Sequence, residues 1–412
     1  MESTSTFIAN RLAFNRQKSF SRFIIRLSIA ATIISVAVMI VSISLANGFQ
    51  EAVSQKIFSF WGHVRIQEKQ PDKAIIAEEW PIFQNDTVER AINTHPNVSS
   101  ISPFATKYAL LKSNQEMEGL MVKGLGKNYP FNQWKTFLKQ GQLINFPDSG
   151  FSRQIIISSY TASRMKLAVG DSLVLYFIQK TELPKPRKVL IGGIYKTGIE
   201  DYDKLFAIAD IRLIQQLNGW SANQIGGYEI FLKNPNLIDS TSNQLYQMET
   251  FPESWDALSI KQASPQIFDW LNMQNTTRNI LIAFMAIVAA INLITALLIL
   301  VLERTRMIGI LKSIGANNWT VQSIFLRYSI IITSIGIGLG TLLGLGLLWL
   351  QEKTGFIKLN EEAYFLDKAA VKIVWSQIII IDLGTLAMCT IILLIPSLLV
   401  RKISPSRAIQ FK

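Results

Sequence analysis

A formal charge of +12 on 412 residues, with 49% hydrophobic and only 17% charged side chains, describes a chain too apolar for an ordinary soluble protein. Three short segments, before Leu27, between Leu302 and Tyr328, and after Val400, carry net charges of +4, +3 and +4, eleven of the twelve in all. Basic charge gathered beside apolar runs is an orientation signal and excludes a nucleic-acid partner, which would need it spread over a soluble surface.

Residues 1–26 set Arg11, Arg16, Lys18, Arg22 and Arg26 against Glu2. Residues 27–46 follow without a charge, and about 20 apolar residues suffice for a helix to cross a bilayer core. Ser44-Leu45-Ala46 loosely resembles a signal-peptide cleavage site, but the run is longer than a signal core and reads as a span. Residues 47–278 hold 24 basic and 22 acidic side chains and form a soluble insert. Three more spans are expected at 279–302, 324–350 and 374–400, the last interrupted only by Asp382. Basic flanks mark the cytoplasmic side. Four crossings then place 1–26, the 303–323 loop and the 401–412 tail inside, and 47–278 and the 351–373 loop outside. Cys389, the single cysteine, lies in the fourth span, so no disulfide can form within the chain. The expected fold is a polytopic α-helical membrane protein, four transmembrane helices in a 1+3 arrangement, with a large α+β extracytoplasmic domain between the first and second.

Within the insert, Val53, Ile57 and Phe60 recur at helical spacing, so Glu51 to Ser59 should continue the first span as an amphipathic helix. Alternation predicts strands at His63–Gln67, Val98–Leu111, Gln154–Ser159, Ser172–Gln179, Lys188–Tyr195, Leu205–Ala209 and Tyr228–Lys233. Helices are expected at Asp86–Asn93, Tyr160–Lys166, Ile211–Leu217 and Leu237–Glu249, and a turn at Val169-Gly170-Asp171-Ser172. Between Gln179 and Lys188, Pro184 and Pro186 each remove a backbone donor, which predicts a stiff projection rather than an ordinary paired strand end. Thr181, Pro184, Pro186 and Arg187 are therefore candidates for carrier or cargo contact, against the plainer reading of a turn.

Catalytic and metal chemistry is scarce. His63 and His95 without a cysteine are too few for a His/Cys metal site, and His63 beside a helix end reads as structural. Glu200-Asp201-Tyr202-Asp203 lacks the spacing of a calcium loop and reads as a solvated turn. Gly124-Leu125-Gly126-Lys127 lacks the spacing of a phosphate-binding loop, so any driving nucleotide binds another subunit. No nucleophile elbow or metalloprotease helix is present.

Glu303 to Ala316 is the most informative short stretch. Met307, Ile310, Leu311 and Ile314 stand at i, i+3, i+4 and i+7, one apolar stripe, and Gly315 falls where the helix should stop. Periodicity alone fits a protein partner, a helix lying on lipid, or a plain linker. In the third span Gly336, Gly340 and Gly344 stand four apart on one helix face, suited to close helix packing, within this chain or at a dimer seam. Asp382 reads as a polar packing contact, or as a residue at a depth near the outer surface.

Glu303-Arg304-Thr305-Arg306-Met307-Ile308-Gly309-Ile310-Leu311-Lys312-Ser313-Ile314-Gly315-Ala316 resembles the coupling-helix stretch of the FtsX/MacB superfamily of ABC permeases, at the same place between spans two and three. Asn47-Gly48-Phe49, the segment Gly193 to Ala209 with Gly198 and Tyr202-Asp203, and Ile403 to Ile409 are similar to LolC/LolE proteins of that superfamily. The resemblance implies that Glu303, Arg304, Arg306, Met307, Ile310, Leu311, Lys312, Ile314 and Gly315 seat in a cytoplasmic LolD-like ATPase. On this reading the chain is not an enzyme and binds no cofactor, ATP and Mg residing on that partner. A second permease chain, identical or not, membrane lipids and lipoprotein cargo complete the partners, and docking of a soluble lipoprotein carrier stays open. The implied activity is lipoprotein release from a bacterial inner membrane toward the outer one. Residues 279–412 would form the FtsX-like permease domain, and 47–278 a MacB-like core. LolC proteins carry a longer hook than Gln179 to Lys188 provides, which leaves LolE-like behaviour or another cargo open. Alternatives are an FtsX-like regulator of a cell-wall hydrolase and a MacB-like efflux subunit, although MacB fuses its ATPase to the permease.

Overall fold

The computed structural model describes residues 20–70, 79–112, 116–132, 134–177 and 185–397. Four of its helices are long and apolar enough to cross a membrane: Phe20–Trp61, Pro265–Glu303, Asn318–Thr354 and Trp375–Ser397. The first has 42 residues. At 1.5 Å per residue it is about 63 Å long, twice the ~30 Å of a bilayer core. The amphipathic extension expected after the span is thus one continuous helix with it. Contacts divide the chain into two compact units, one of Met1–Gln50, Leu271–Lys358 and Lys368–Lys412, the other of Glu51–Trp270 with Leu359–Asp367.

The first unit is helical. Its glycine face receives the first helix of the same chain, not a second copy. A Cβ on Gly336 would stand 2.8 Å from Thr32 Cγ2, one on Gly340 2.8 Å from Ile33 O, and one on Gly344 3.3 Å from Ile40 Cβ. Gly338 and Gly346, off that face, meet nothing within 4 Å. Small residues let two backbones approach where lipid provides no hydrophobic drive between helices. Asp382 is a packing contact as expected, its carboxylate accepting from Thr341 Oγ1 at 3.0 Å. The Asn47-Gly48 pair explains itself here too. Asn47 donates to Gln377 Oε1 at 2.5 Å and accepts from Arg278 at 3.1 Å, while a Cβ on Gly48 would run into the Ala370 carbonyl.

The second unit is α+β. Its strands are β1 (Val64–Glu68), β2 (Ile82–Phe83), β3 (Val98–Lys112), β4 (Met117–Leu125), β5 (Leu138–Gly141), β6 (Gln154–Ser158), β7 (Ser172–Phe177), β8 (Lys185–Tyr195), β9 (Phe206–Asp210), β10 (Gln224–Ile225), β11 (Gly227–Leu232) and β12 (Trp255–Ser259). Ten of them join in the order β12-β1-β11-β3-β4-β9-β6-β8-β5, and β7 pairs with both β3 and β8. The ring β3-β4-β9-β6-β8-β7 therefore closes on itself, which removes exposed edges from its middle. The β4–β9 and β6–β8 pairs are parallel, the rest of the ring antiparallel.

The seven expected strands and four expected helices are all present, within three residues at each end. Two readings need correction. Pro186 lies in a paired strand, opposite Tyr176, because at residues 185–187 β8 pairs on one side only and an edge tolerates a residue without an N–H. Thr181 and Pro184 lie outside the described residues, as do the basic residues of the amino-terminal segment up to Lys18 and the 401–412 tail. Glu200–Leu205 is a helix, and its Asp203 is buried rather than solvated. Gly124 belongs to β4, where a side chain would collide with Ile211 and Ile214 of the helix Ile211–Asn218 packed on it.

His63 is structural. Its Nδ1 accepts from the Leu232 N–H at 3.2 Å, its ring stacks on Phe58 at 4.3 Å, and burial pushes its pKa down to about 4. As pH falls, the unfolded chain takes up that proton first. Stability contributed by neutral His63 is therefore complete above pH ~6.5 and lost as pH drops toward 4, by about 1.4 kcal/mol per unit. Denaturant unfolding at pH 7.5, 6 and 4.5 should show this slope, and His63→Phe should flatten it. An equal slope in the variant would assign the acid sensitivity to other groups.

Candidate functional site

Two places in the fold have the character of working parts. The first is where the long first helix ends inside the soluble unit. Gly62, at φ +70°, closes the helix by donating its N–H to Phe58 O at 2.8 Å. The next carbonyls are taken by side chains from far along the chain. Trp134 Nε1 donates to Ser59 O at 3.1 Å, and Tyr129 Oη lies 3.2 Å from the same oxygen. Lys123 Nζ donates to Phe60 O. A helix C-terminus carries about half a negative charge, and a cation there is favourable.

Lys123 sits in β4 and is fully buried. Its ammonium is 2.7 Å from Glu229 Oε1 on β11, with the rings of Phe60, Trp61 and Tyr129 within 5.8 Å. Burial pushes its pKa down, to about 8, against the pull of Glu229. The charges continue outward. Arg65 on β1 lies 3.9 Å from Glu229 and 3.2 Å from Glu79, and stacks over Trp61 and Phe104; Glu79 in turn accepts from Thr106 Oγ1 at 2.5 Å. Four strands, β1, β3, β4 and β11, thus converge on the end of one helix. The arrangement ties the end of the helix to the sheet within the soluble unit.

The second place is the short helix Thr305–Ser313 between the second and third spans. The expected stripe does not form a single open face. Ile308 is fully buried and Gly309 is buried with it, while Met307 and Leu311 pack partly against the bundle core around Leu300, Val321 and Phe325. Ile310 is 45% and Ile314 79% exposed, and Trp319 just beyond is 58% exposed. Arg306 and Gly315 are exposed, Gly315 at φ +96° where the turn stops. Arg304 and Lys312 are half-buried, and Glu303 is exposed. Pro186 and Arg187 lie far along the chain in β8, Pro186 exposed and Arg187 half-buried. Among the described residues no three His, Cys, Asp or Glu side chains gather as a metal site.

Residues 27–248 match the MacB-like periplasmic core domain, and residues 279–405 the FtsX-like permease C-terminal domain. The chain belongs to this ABC permease family. The first match covers the clamp and the second the Thr305–Ser313 helix. Similarity extends over nearly the whole chain to lipoprotein-releasing system transmembrane proteins. To LolE of Haemophilus influenzae the identity is 25%, covering 99% of both chains. To LolC of Xylella fastidiosa it is 20% over 97% of both, and to LolC of Haemophilus influenzae 22% over 99% of both. The periplasmic region of MacB from Actinobacillus actinomycetemcomitans aligns with half of this chain and 92% of its own, at 12% identity and a TM-score of 0.35.

The Lys123–Glu229 clamp escaped the sequence reading, since a lysine and a glutamate 106 residues apart carry no mutual signal. Two hints were available: Lys123 breaks the apolar run Leu120-Met121-Val122, and Glu229 sits among Tyr228, Ile230 and Phe231. A charge inside a strand otherwise fit for the core asks for a partner.

Proposed function

We propose that this permease is the non-catalytic membrane subunit of an ATP-driven complex that extracts lipoproteins from a bacterial inner membrane for delivery toward the outer one. The observation that carries the reading is the similarity to LolE and LolC proteins across almost their entire length. In it, a separate ATPase holding ATP and Mg docks on Thr305–Ser313, and a second permease chain completes the membrane core. Movement at the cytoplasmic face passes along the 42-residue helix, whose far end the Lys123 clamp fixes to the sheet. Both termini are cytoplasmic, and Glu51–Trp270 is periplasmic.

The complex, purified with its ATPase and reconstituted with a labelled lipoprotein, should release that lipoprotein only when ATP is hydrolysed. Release that ignores ATP, or hydrolysis without release, counts against the reading. Orientation is checked in a Cys389→Ala background. Asn236→Cys, exposed in the soluble unit, should react with an impermeant thiol reagent in intact spheroplasts, and Ser406→Cys only after permeabilisation. Reaction of Ser406→Cys from outside would invert the topology.

A further inference from the structure

The nine residues Leu359–Asp367, between the third and fourth long helices, belong to the compact soluble unit and not to the helical one. Their seat is the turn before the helix Glu200–Leu205. Asp203 organises that turn, accepting from Thr197 N at 2.9 Å, Thr197 Oγ1 at 2.8 Å and Gly198 N at 3.0 Å. Gly198, at φ +76°, is needed twice over, since a Cβ there would stand 2.6 Å from Glu361 Oε1 and 3.0 Å from Lys56 Nζ.

Three ties hold the strap. Glu361 pairs with Lys196. Lys56, on the first long helix, donates at 2.6 Å both to Thr197 O and to Phe365 O. Trp270, near the start of the second long helix, meets the Phe365 ring edge-on at 5.7 Å. Phe365 itself holds φ +59°, a left-handed backbone that a bulky residue adopts only where its surroundings impose it. Lys56 of the first long helix, Trp270 near the start of the second, and the strap that links the third to the fourth thus meet at one point within the soluble unit. Two cavities, of about 440 and 510 Å³, share Lys196 and Glu361 in their linings.

We propose that this junction is where all four membrane helices act together on the soluble unit, with Glu361 as the positioning residue and Lys196 and Lys56 as its seat. The inference rests on the proposed transport function and deepens it. The Lys123 clamp gives the first helix alone a grip on the sheet. The strap adds the third and fourth, so closure of the bundle draws on the Thr197–Asp203 turn through a second lever. The Lys196–Glu361 pair suits this role better than a stabilising one. Both side chains are partly exposed, at 40% and 28%, and such pairs contribute little to stability. Substitution there should spare the fold and show itself in coupling.

The test is a charge swap in the complete complex. Lys196→Glu and Glu361→Lys should each lower ATP-dependent lipoprotein release by about tenfold, within the range that coupling free energies between sites span, while assembly and ATP hydrolysis persist. The double swap Lys196→Glu/Glu361→Lys should restore release. A covalent tie gives a second arm. In a Cys389→Ala background, Lys196→Cys/Glu361→Cys should release poorly until a short bifunctional thiol reagent joins the pair, and then recover. Singles that release like wild type, a double swap no better than the singles, or a cysteine pair that fails to cross-link in membranes would each overturn the junction. A wild-type complex that hydrolyses ATP but releases nothing overturns the lipoprotein reading instead, and the junction then stands or falls on the cross-link.

Discussion

Lys123→Met is expected to lower the stability of the soluble unit by about 3 to 5 kcal/mol, the cost of leaving a buried charge without its partner. The substitution keeps most of the side-chain volume, so the loss is electrostatic and not a cavity. Glu229 would keep Arg65 at 3.9 Å and the Tyr129 hydroxyl at 3.2 Å, neither as close as the lysine at 2.7 Å. Phe60 O would lose a charged donor at the end of the helix dipole. Neutralising the orphan should recover part of the loss, so Lys123→Met/Glu229→Gln should lie above Lys123→Met by about 2 kcal/mol, a coupling typical of contacting charges. Denaturant unfolding of the full chain in detergent, followed by tryptophan fluorescence, measures both. A single variant within 1 kcal/mol of wild type would mean that the pair is not held dry, and that the helix end is fixed by Tyr129 and Trp134 alone.

The sequence displayed some parts of this molecule openly and hid others, for reasons that differ. The four spans were legible because about 20 apolar residues have few other uses. The strands at Val98, Gln154 and Tyr228 alternate or run apolar, and their ends fell where turns interrupt them. Strand β4 did not show itself, because Glu118, Lys123 and Gly124 each break the pattern for a tertiary reason. Glu118 meets Arg164 at 2.9 Å, Lys123 meets Glu229, and Gly124 makes room for a helix. The acids at Glu200, Asp201 and Asp203 read as one solvated cluster, yet one helical turn separates them into two exposed groups and a buried one that ties a loop. The strap at Leu359–Asp367 shows in the sequence only as part of the 351–373 loop. Its role lies in partners 165 residues away, as with Lys196 and Glu361, and no local pattern encodes that distance.

The substitution pair Ile310→Asp/Ile314→Asp should strip the ATPase from the complex while leaving the permease folded and inserted. The whole apolar stripe was a natural target from periodicity, but the fold divides it. Ile308, Met307 and Leu311 face their own bundle, and Ile310 and Ile314 remain exposed beside Trp319. Full burial of each isoleucine against a partner contributes about 1.5 to 3 kcal/mol, so losing both should weaken the ATPase by at least about a hundredfold. Leu311→Asp is the internal control. It places a charge against the buried cluster of the helical unit, and should lower yield and stability of the permease itself, whether or not an ATPase is present. Co-purification of the ATPase with each variant, beside the thermal stability of the permease alone, separates the two effects. If Ile310→Asp/Ile314→Asp keeps its ATPase, the exposed pair rests on lipid instead, and basic Arg304, Arg306 and Lys312 serve phospholipid headgroups, not a protein groove.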